Sequence, residues 1–157
     1  MPGSEPGPSA YFITASTYQR RTLFQTDRMA LLLVDVFSNY RLQNKYLLHE
    51  FVVMPDHFHV LLSPVASLEK AVQLIKGGFS YRAKRELEFS GEIWEKSFYD
   101  RRVRDAEEYE RIRIYIHQNP VKRGLVKTVG EYPYSSASSR LALDGVLRRL
   151  KPINLAS

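Results

Sequence analysis

Apolar and polar positions follow two different patterns along the chain, and each pattern predicts one kind of element. Apolar stretches without helical spacing, rich in β-branched and aromatic side chains, predict strands at residues 11–18, 46–54 and 57–63. Apolar residues at helical spacing predict helices at about residues 28–44, 68–88 and 106–119. Shorter extended signals over residues 93–103 predict a fourth strand at one edge of the sheet.

Residues that favour helix N-termini precede each of the three helical patterns. Asp27 is predicted to cap the first helix and Ser67 the second, because their side-chain oxygens can accept backbone N–H groups of the first turn. Asp105, with Glu108 at the third helical position, predicts a capping box for the third helix. These caps place the three helix starts between the predicted strands and after the last of them.

Proline and glycine residues mark two further positions. The third helix is predicted to end at Asn119, because Pro120 follows and disfavours helical backbone in the residue before it. Gly77 and Gly78 lie inside the second helix, where each glycine costs roughly 1 kcal/mol relative to alanine. The pair indicates a kink or a close backbone approach, or else a merely weak helix.

The order of these elements is strand, helix, strand, strand, helix, strand, helix. This order predicts an α+β fold of the ferredoxin-like, split β-α-β kind, with an antiparallel sheet, helices on one face and an added C-terminal helix. The chain of 157 residues suits a single domain, predicted over residues 11–140. Residues 1–10, rich in proline and glycine, are predicted to be a disordered lead-in, and residues 141–157 a C-terminal tail.

Charge and composition narrow the class of protein. The chain has 23 Lys and Arg residues against 17 Asp and Glu, which favours a polyanionic partner such as nucleic acid. It has no cysteine, which excludes a disulfide framework and a Cys-ligated zinc. Neither a membrane-spanning run nor a signal peptide is evident, so a soluble intracellular protein is expected.

Two histidines one residue apart are the first candidate for chemistry. Because side chains alternate along a strand, His57 and His59 should point to one face of the sheet while Phe58 points into the core. About 6.6 Å of strand separates them, which suits two imidazoles converging on one metal ion. The alternative is a pair of half-buried histidines with ordinary hydrogen bonds, and the pair alone leaves both readings open.

The third helix carries the second candidate. Ile112, Tyr115, Ile116 and Asn119 fall within one stripe of the helix, and Tyr115 and Asn119 are surface neighbours four residues apart. A tyrosine hydroxyl and an amide on an inward stripe both need polar partners. Periodicity also allows a simpler interpretation, in which Tyr115 is a core residue with a solvated hydroxyl and Asn119 only ends the helix.

Several motifs in a fixed order together resemble one family. They are Met-Pro-Asp-His-Phe-His at 54–59, Trp94 with Phe-Tyr-Asp-Arg at 98–101, Tyr115-Ile116 with Asn-Pro-Val-Lys at 119–122 and Gly-Leu-Val at 124–126, and Tyr-Pro-Tyr-Ser-Ser at 132–136. This combination is similar to the single-tyrosine HUH transposases, in particular the REP-associated tyrosine transposases, over about residues 11–136. One departure is Asp56, where the family more often has asparagine.

The resemblance implies a metal-dependent DNA transposase. Tyr115 would be the nucleophile, His57 and His59 would hold Mg²⁺ or Mn²⁺, and Asn119 would be the third ligand. The implied reaction is cleavage and rejoining of single-stranded DNA at hairpin or REP-like palindromes, through a 5′-phosphotyrosine and a free 3′-hydroxyl. A bacterial, cytoplasmic, nucleoid-associated protein is implied as well.

Basic residues on either side of the third helix are candidates for contacts with DNA phosphates, although each could be only a solvated surface charge. They are Arg101, Arg102, Arg104, Lys122 and Arg123. His117 lies about 200° round the helix from Tyr115, which argues against a role as ligand, and His49 is predicted to be structural.

Two other functions stay open from the sequence. One is a ferredoxin-like nucleic-acid-binding module without catalysis, in which the histidines and Tyr115 only stack or pack. The other is a metal-dependent nuclease in which water attacks. The sequence also leaves open whether the protein acts as a monomer or as a homodimer, and so whether Tyr115 serves its own histidines or those of a second copy.

Overall fold

The computed structural model of the protein describes residues 9–147, which form an antiparallel sheet covered by three helices. The strands, in chain order, are β1 (Tyr11–Ser16), β2 (Tyr46–Met54), β3 (His57–Pro64) and β4 (Tyr99–Arg102). The helices are α1 (Asp27–Leu42), α2 (Leu68–Leu87) and α3 (Ala106–Lys122). The strand order β2-β3-β1-β4, with every neighbouring pair antiparallel, confirms the predicted ferredoxin-like α+β fold.

The two faces of the sheet bury different helices. Side chains of one parity, such as Phe58 and Val60 on β3 and Ile13 on β1, pack with the apolar residues of α1 and α2. The other parity, including Leu61 and Val52, packs against α3. Because α3 covers the face that α1 and α2 leave free, it is the added helix of the prediction, and it lies over β2 and β3.

The hairpin and the edge strand are confirmed, although the edge strand is short. β2 and β3 are paired along their length, from Tyr46 opposite Pro64 to Met54 opposite His57, with a register shift between Leu48 and Glu50. The extended signals predicted over residues 93–103 form a regular strand only at β4. Before it, Trp94 makes an isolated bridge to Thr17.

Two of the three predicted caps are confirmed and one is wrong by a residue. The Ser67 side chain accepts the Lys70 N–H, and the Asp105 carboxylate accepts the Glu108 N–H at 2.8 Å. For α1 the cap is Thr26, not Asp27, which is the first helical residue. Both residue types favour this position, and an Asp in the first turn still stabilises the positive end of the helix.

The predicted end of the third helix at Asn119 is also wrong, because α3 continues through Pro120 to Lys122. Proline removes only its own N–H bond, and the following Arg123 N–H still closes a helical bond to Asn119 O at 3.0 Å. The helix then ends with a capping bond from Leu125 N–H to Pro120 O at 2.9 Å, past the left-handed Gly124. The last turn is therefore preserved at the cost of one hydrogen bond.

Of the three interpretations of the glycine pair, the structure favours a close approach. Helix α2 runs without interruption, and a Cβ added at Gly78 would lie 2.5 Å from the Tyr40 hydroxyl of α1. A side chain there would force Tyr40 to move, so Gly78 lets α1 and α2 pack closely.

The chain packs against the sheet at both ends of the described range. Ala10 is buried and its carbonyl accepts the Val103 N–H at 2.8 Å. Leu141 and Leu143 pack against the core, and the Asp144 carboxylate accepts hydrogen bonds from the Arg41 guanidinium. Most of the predicted lead-in and the end of the predicted tail, residues 1–8 and 148–157, lie outside the described residues.

Candidate active site

The two histidines of β3 lie on the face covered by α3, as predicted from strand alternation. His57 and His59 are buried, with their ring centroids 4.8 Å apart and the rings nearly perpendicular. Between them Phe58 is fully buried on the opposite face. The apolar side of β3 therefore fixes the backbone that holds both imidazoles.

A hydrogen bond to Nδ1 holds each ring. Nδ1 of His59 lies 2.7 Å from the Thr14 hydroxyl of β1, and Nδ1 of His57 lies 2.7 Å from the Asp56 carboxylate. The Asn119 amide nitrogen lies 3.5 Å from Nε2 of His59. Nδ1 contacts of this kind leave Nε2 as the nitrogen for a ligand in both rings.

Burial keeps both histidines neutral at neutral pH. Burial, followed by the neighbouring His57 and the Arg123 charge, lowers the pKa of His59 to about 3. Burial also lowers the pKa of His57, although the Asp56 carboxylate opposes this shift. Neutral imidazole is the form that binds metal ions, so the electrostatics suit a metal site.

Helix α3 brings an amide to the same place. Ile112 and Ile116 are buried beneath the helix, and Asn119, one turn beyond Ile116, is buried beside His59. Among the described residues, Oδ1 of Asn119 is the buried side-chain atom left without a hydrogen-bond partner. An orphaned acceptor of this kind calls for a group that the protein itself does not supply.

The donor set at this place suits a divalent cation. His57 and His59 offer two imidazole nitrogens and Asn119 offers an amide oxygen, a mixed N and O set that Mn²⁺ accepts readily and Mg²⁺ less so. Within residues 9–147, no three His, Cys, Asp or Glu side chains form a metal-binding group. A third protein ligand beside the two histidines would therefore have to be of another type, as Asn119 is.

Tyr115 lies at the open side of this site. Its ring packs edge-on against His59 with centroids 5.3 Å apart, and 43% of the residue is exposed. Phe12 of β1 stacks on His59 at 5.2 Å and meets Tyr115 at 5.9 Å. The stripe predicted on α3 thus places Ile112, Ile116 and Asn119 inward and Tyr115 at its edge, with every contact made within one chain.

The basic residues predicted to contact DNA differ in where they lie relative to the two histidines. Arg123 lies close enough to the histidines to lower the pKa of both, and Lys122 is exposed next to it. Arg101 pairs with Phe12 across β1 and β4, on the face of the histidines. Arg102 is on the opposite face, where it donates to the Ser9 hydroxyl at 3.1 Å.

Glu108 ties two of the arginines to the start of α3. Its carboxylate accepts a hydrogen bond from the Arg101 guanidinium and, at 2.8 Å, the backbone N–H of Arg104. The predicted capping box is therefore wrong in its second half, since Glu108 reaches the residue before Asp105. The buried Glu108 partly neutralises the charge of Arg101 and Arg104.

Three residues around the site had no role in the sequence analysis. Thr14 and Phe12 share the parity of β1 that faces α3, but only the pairing of Thr14 with His59 shows that they meet the site. Arg20 donates to the Asp56 carboxylate at 3.1 Å. The alternation along β1 was the only signal in the sequence, and it does not give the register.

The remaining histidines lie away from this site, in agreement with their predicted roles. His49 bonds the Ser63 hydroxyl and the Asp144 carbonyl, each at 2.9 Å. His117 bonds the Glu50 carboxylate at 2.7 Å. A cavity of about 520 Å³ lies beside His49 and Glu50, under the first half of α3. At the histidine–tyrosine site, by contrast, the histidines and Asn119 are buried and Tyr115 is the exposed residue.

Comparisons with known proteins identify a family and relatives of this chain. A model of the IS200-like transposase family matches residues 9–119. The chain is 26% identical over 149 residues to a REP-associated tyrosine transposase of Escherichia coli K12, covering 93% of this chain and 84% of that relative. A Haemophilus influenzae relative whose name assigns it to the same group is 27% identical over 134 residues, covering 73% and 76%.

The fold matches a solved structure as well. The structure of a REP-associated tyrosine transposase bound to a REP hairpin superposes with a TM-score of 0.71 at 24% identity, covering 95% of this chain and 86% of that one. The family resemblance and the fold predicted from the sequence are thereby confirmed. No helix among residues 9–147 is both long and apolar enough to span a membrane.

Proposed function

Because the chain belongs to the IS200-like transposase family, we propose that it is a transposase of the REP-associated type. In this proposal it cleaves and rejoins single-stranded DNA hairpins through a covalent bond to Tyr115. One observation carries the proposal: the exposed edge of Tyr115 meets the buried His59 in the same chain, beside His57 and Asn119. This proximity supports a nucleophile and metal ligands that act on the same phosphate.

His57, His59 and Asn119 would hold a divalent cation, Mg²⁺ or Mn²⁺. Such a cation, when bound, polarises a non-bridging phosphate oxygen and supplies several kcal/mol of charge stabilisation. The protein's own contribution is orientation: Thr14 and Asp56 fix the two imidazoles before any ligand arrives. The packing of Ile116 at the centre of α3 similarly fixes Asn119 one turn later.

The chemical step exchanges one phosphate ester for another. The Tyr115 oxygen forms a bond to phosphorus as the bond from phosphorus to the 3′ oxygen breaks. The phenol gives up a proton and the 3′ oxygen gains one, which leaves a 5′-phosphotyrosine and a free 3′-hydroxyl. Attack of a 3′-hydroxyl on the phosphotyrosine reverses the step and releases Tyr115. The ester energy is conserved, so no nucleoside triphosphate is needed.

The surroundings of Tyr115 suit an unpaired strand. Tyr99 on β4 is 55% exposed and its ring lies 6.4 Å from Phe12, which itself contacts Tyr115. An exposed aromatic ring beside the reacting phosphate offers a stacking surface for a base of any sequence. Arg123, whose charge acts on both histidines, offers a positive charge for a backbone phosphate.

A denaturing gel tests the proposal. The protein is incubated with labelled single-stranded hairpin DNA and Mn²⁺, then denatured. We expect a covalent protein–DNA adduct that disappears in Tyr115→Phe, His57→Ala and His59→Ala. Tyr81→Phe is the matched control, because Tyr81 is a second exposed tyrosine, on α2, and its variant should keep the adduct.

Two other results would replace the proposal. Cleaved DNA without an adduct, unaffected by Tyr115→Phe, would make the protein a metal-dependent nuclease in which water attacks. Bound but uncut DNA would make it a nucleic-acid-binding module.

A further inference from the structure

We propose that Asp56 is a positioning residue that sets how tightly the site binds its cation, by holding His57 through a charged hydrogen bond. The inference rests on the proposed function, because it assumes a divalent cation at His57 and His59. It concerns the one residue of the histidine motif at which this chain departs from the more usual asparagine.

Both oxygens of the Asp56 carboxylate are occupied. Oδ1 lies 2.7 Å from Nδ1 of His57, and Oδ2 accepts a hydrogen bond from Nε of Arg20 at 3.1 Å. The His57 side chain is buried, with 4% exposed, whereas the Asp56 side chain that bonds it is partly exposed. A chain of hydrogen bonds therefore runs from the exposed Arg20 through Asp56 to the proposed ligand His57.

The backbone around this line is held in place at a cost. Gln19 and Arg20 both have φ of 56°, in the left-handed region that non-glycine residues rarely adopt. Each such residue costs roughly 1–3 kcal/mol and persists only where the surroundings fix it. Here the Gln19 N–H bonds the Glu95 carboxylate at 2.7 Å, and the Arg20 N–H bonds the Thr17 carbonyl at 3.0 Å.

The same turn holds the backbone of Asp56. The Asp56 carbonyl accepts the Thr17 N–H at 3.0 Å, and the Thr17 hydroxyl, which donates to the Arg21 carbonyl at 2.6 Å, lies 3.1 Å from the same Asp56 oxygen. Thr17 is fully buried, so these bonds are shielded from water. Thus both the main chain and the carboxylate of Asp56 are fixed by the segment that carries Arg20.

The two proposed histidine ligands are therefore held unequally. His59 has a neutral partner, the Thr14 hydroxyl, whereas His57 has a carboxylate. A carboxylate that accepts the Nδ1–H fixes the tautomer and ring orientation, and it raises the basicity of Nε2. An asparagine at position 56 could still accept the Nδ1–H, but it would add no negative charge. Aspartate should accordingly give this site a higher cation affinity than asparagine would.

Isothermal titration calorimetry with MnCl₂, on the full chain without DNA, tests this inference. Loss of the partner of a ligating histidine typically weakens metal binding about 10- to 100-fold, and we expect a loss of this size for Asp56→Ala. Asp56→Asn should weaken binding less, because the amide oxygen keeps the hydrogen bond. Asp35→Asn is the control: it neutralises another arginine-paired carboxylate, on α1, and should bind Mn²⁺ as the wild type does.

Thermal melting in EDTA separates positioning from folding. A lower melting temperature of Asp56→Ala with an unchanged dissociation constant would mean a purely structural role and would overturn the inference. Should Asp56→Ala fail to fold, Asp56→Asn decides alone, and wild-type Mn²⁺ affinity in that variant overturns it. Loss of Mn²⁺ binding in His59→Ala but full binding in both Asp56 variants defeats only this inference. No Mn²⁺ binding by the wild type defeats the proposed metal site with it.

Discussion

The two faces of the sheet differ in the polarity of the side chains that the same strands bury. Toward α1 and α2, β3 presents Phe58, Val60 and Leu62, which are fully buried among other apolar side chains. Toward α3 the same strand presents His57, His59 and Ser63, which are buried but polar, together with the apolar Leu61. One strand therefore serves the stability of the core on one side and carries the candidate chemistry on the other.

The face toward α3, here called the polar face, is held by hydrogen bonds as well as by apolar packing, whereas the face toward α1 and α2, here called the apolar face, is held mainly by packing. His49 and Ser63 bond each other, and His57 and His59 are bonded to Asp56 and Thr14. Among residues 9–147, the buried side-chain atom that this network leaves unpaired is Oδ1 of Asn119, at the site itself. Among the described residues, the buried polar side-chain atoms of this face therefore have hydrogen-bond partners, except for the amide oxygen at the candidate metal site.

The largest expected effect belongs to the apolar face. Phe58→Ala should lower the free energy of unfolding by about 3–5 kcal/mol, because it removes a fully buried ring and leaves a cavity. Urea denaturation followed by circular dichroism measures this change. Leu31→Ala, at a half-exposed leucine of α1, is the control and should change stability by about 0.5 kcal/mol or less. A loss under about 1 kcal/mol for Phe58→Ala would contradict the assignment of the faces.

A bound cation should stabilise the protein through the polar face alone. At a free Mn²⁺ concentration of 100 times the dissociation constant, one site that exists only in the folded state adds about 2.7 kcal/mol. Thermal melting with and without Mn²⁺ should show this rise in the wild type. The same rise in a His57→Ala/His59→Ala double variant would place the cation elsewhere.

Tyr99 should contribute to DNA binding and not to folding. Its exposed ring can stack on one unpaired base, and removal of such a contact costs about 1–3 kcal/mol of binding energy. Fluorescence anisotropy with labelled single-stranded DNA should show weaker binding for Tyr99→Ala. Tyr81→Ala, at an exposed tyrosine of α2, should bind as the wild type does. Equal losses in both variants would remove the argument for a stacking surface at the site.

The smallest effect is a pH-dependent one at Asp144, on the edge of the polar face. Burial raises the pKa of Asp144, but hydrogen bonds from Arg41 and the Leu48 N–H outweigh it and hold the pKa below its ordinary value. Its contribution is then complete above an ordinary carboxyl pKa of about 4 and is lost as pH falls through the lowered folded pKa. Asp144→Asn should cost about 1 kcal/mol at pH 7, with a difference that shrinks below about pH 4.

Urea midpoints of the wild type and Asp144→Asn at pH 7, 5 and 3 check this expectation. A difference that is constant over the whole range would mean that the charge of Asp144 does not contribute.

Local features of the fold could be predicted from the sequence because they depend on neighbours in the chain. Alternation along β3 fixed the faces of His57 and His59, and the caps Ser67 and Asp105 needed only the following turn. The errors were local as well. Thr26 and Asp27 are adjacent residues that both favour the cap, and Pro120 sits where a helix loses only one bond.

Contacts between distant segments could not be predicted. Thr14 meets His59 across 45 residues and Glu50 meets His117 across 67, and both depend on how the elements pack. The division of the arginines has the same cause, because Arg101 is drawn to Glu108 only once β4 and α3 lie together. Residue types thus indicated the chemistry of the site, whereas its partners required the tertiary structure.

Mapping the DNA-linked residue by mass spectrometry tests the central claim most directly. Trypsin should separate Tyr115 from the tyrosines nearest to it in sequence, with Tyr99 in residues 97–101, Tyr109 in 105–111 and Tyr115 in 114–122. After reaction with hairpin DNA and nuclease digestion, we expect a nucleotide phosphate on Tyr115 in the 114–122 peptide. A phosphate on Tyr99 or Tyr109, or cleaved DNA with none of the three modified, would contradict the account.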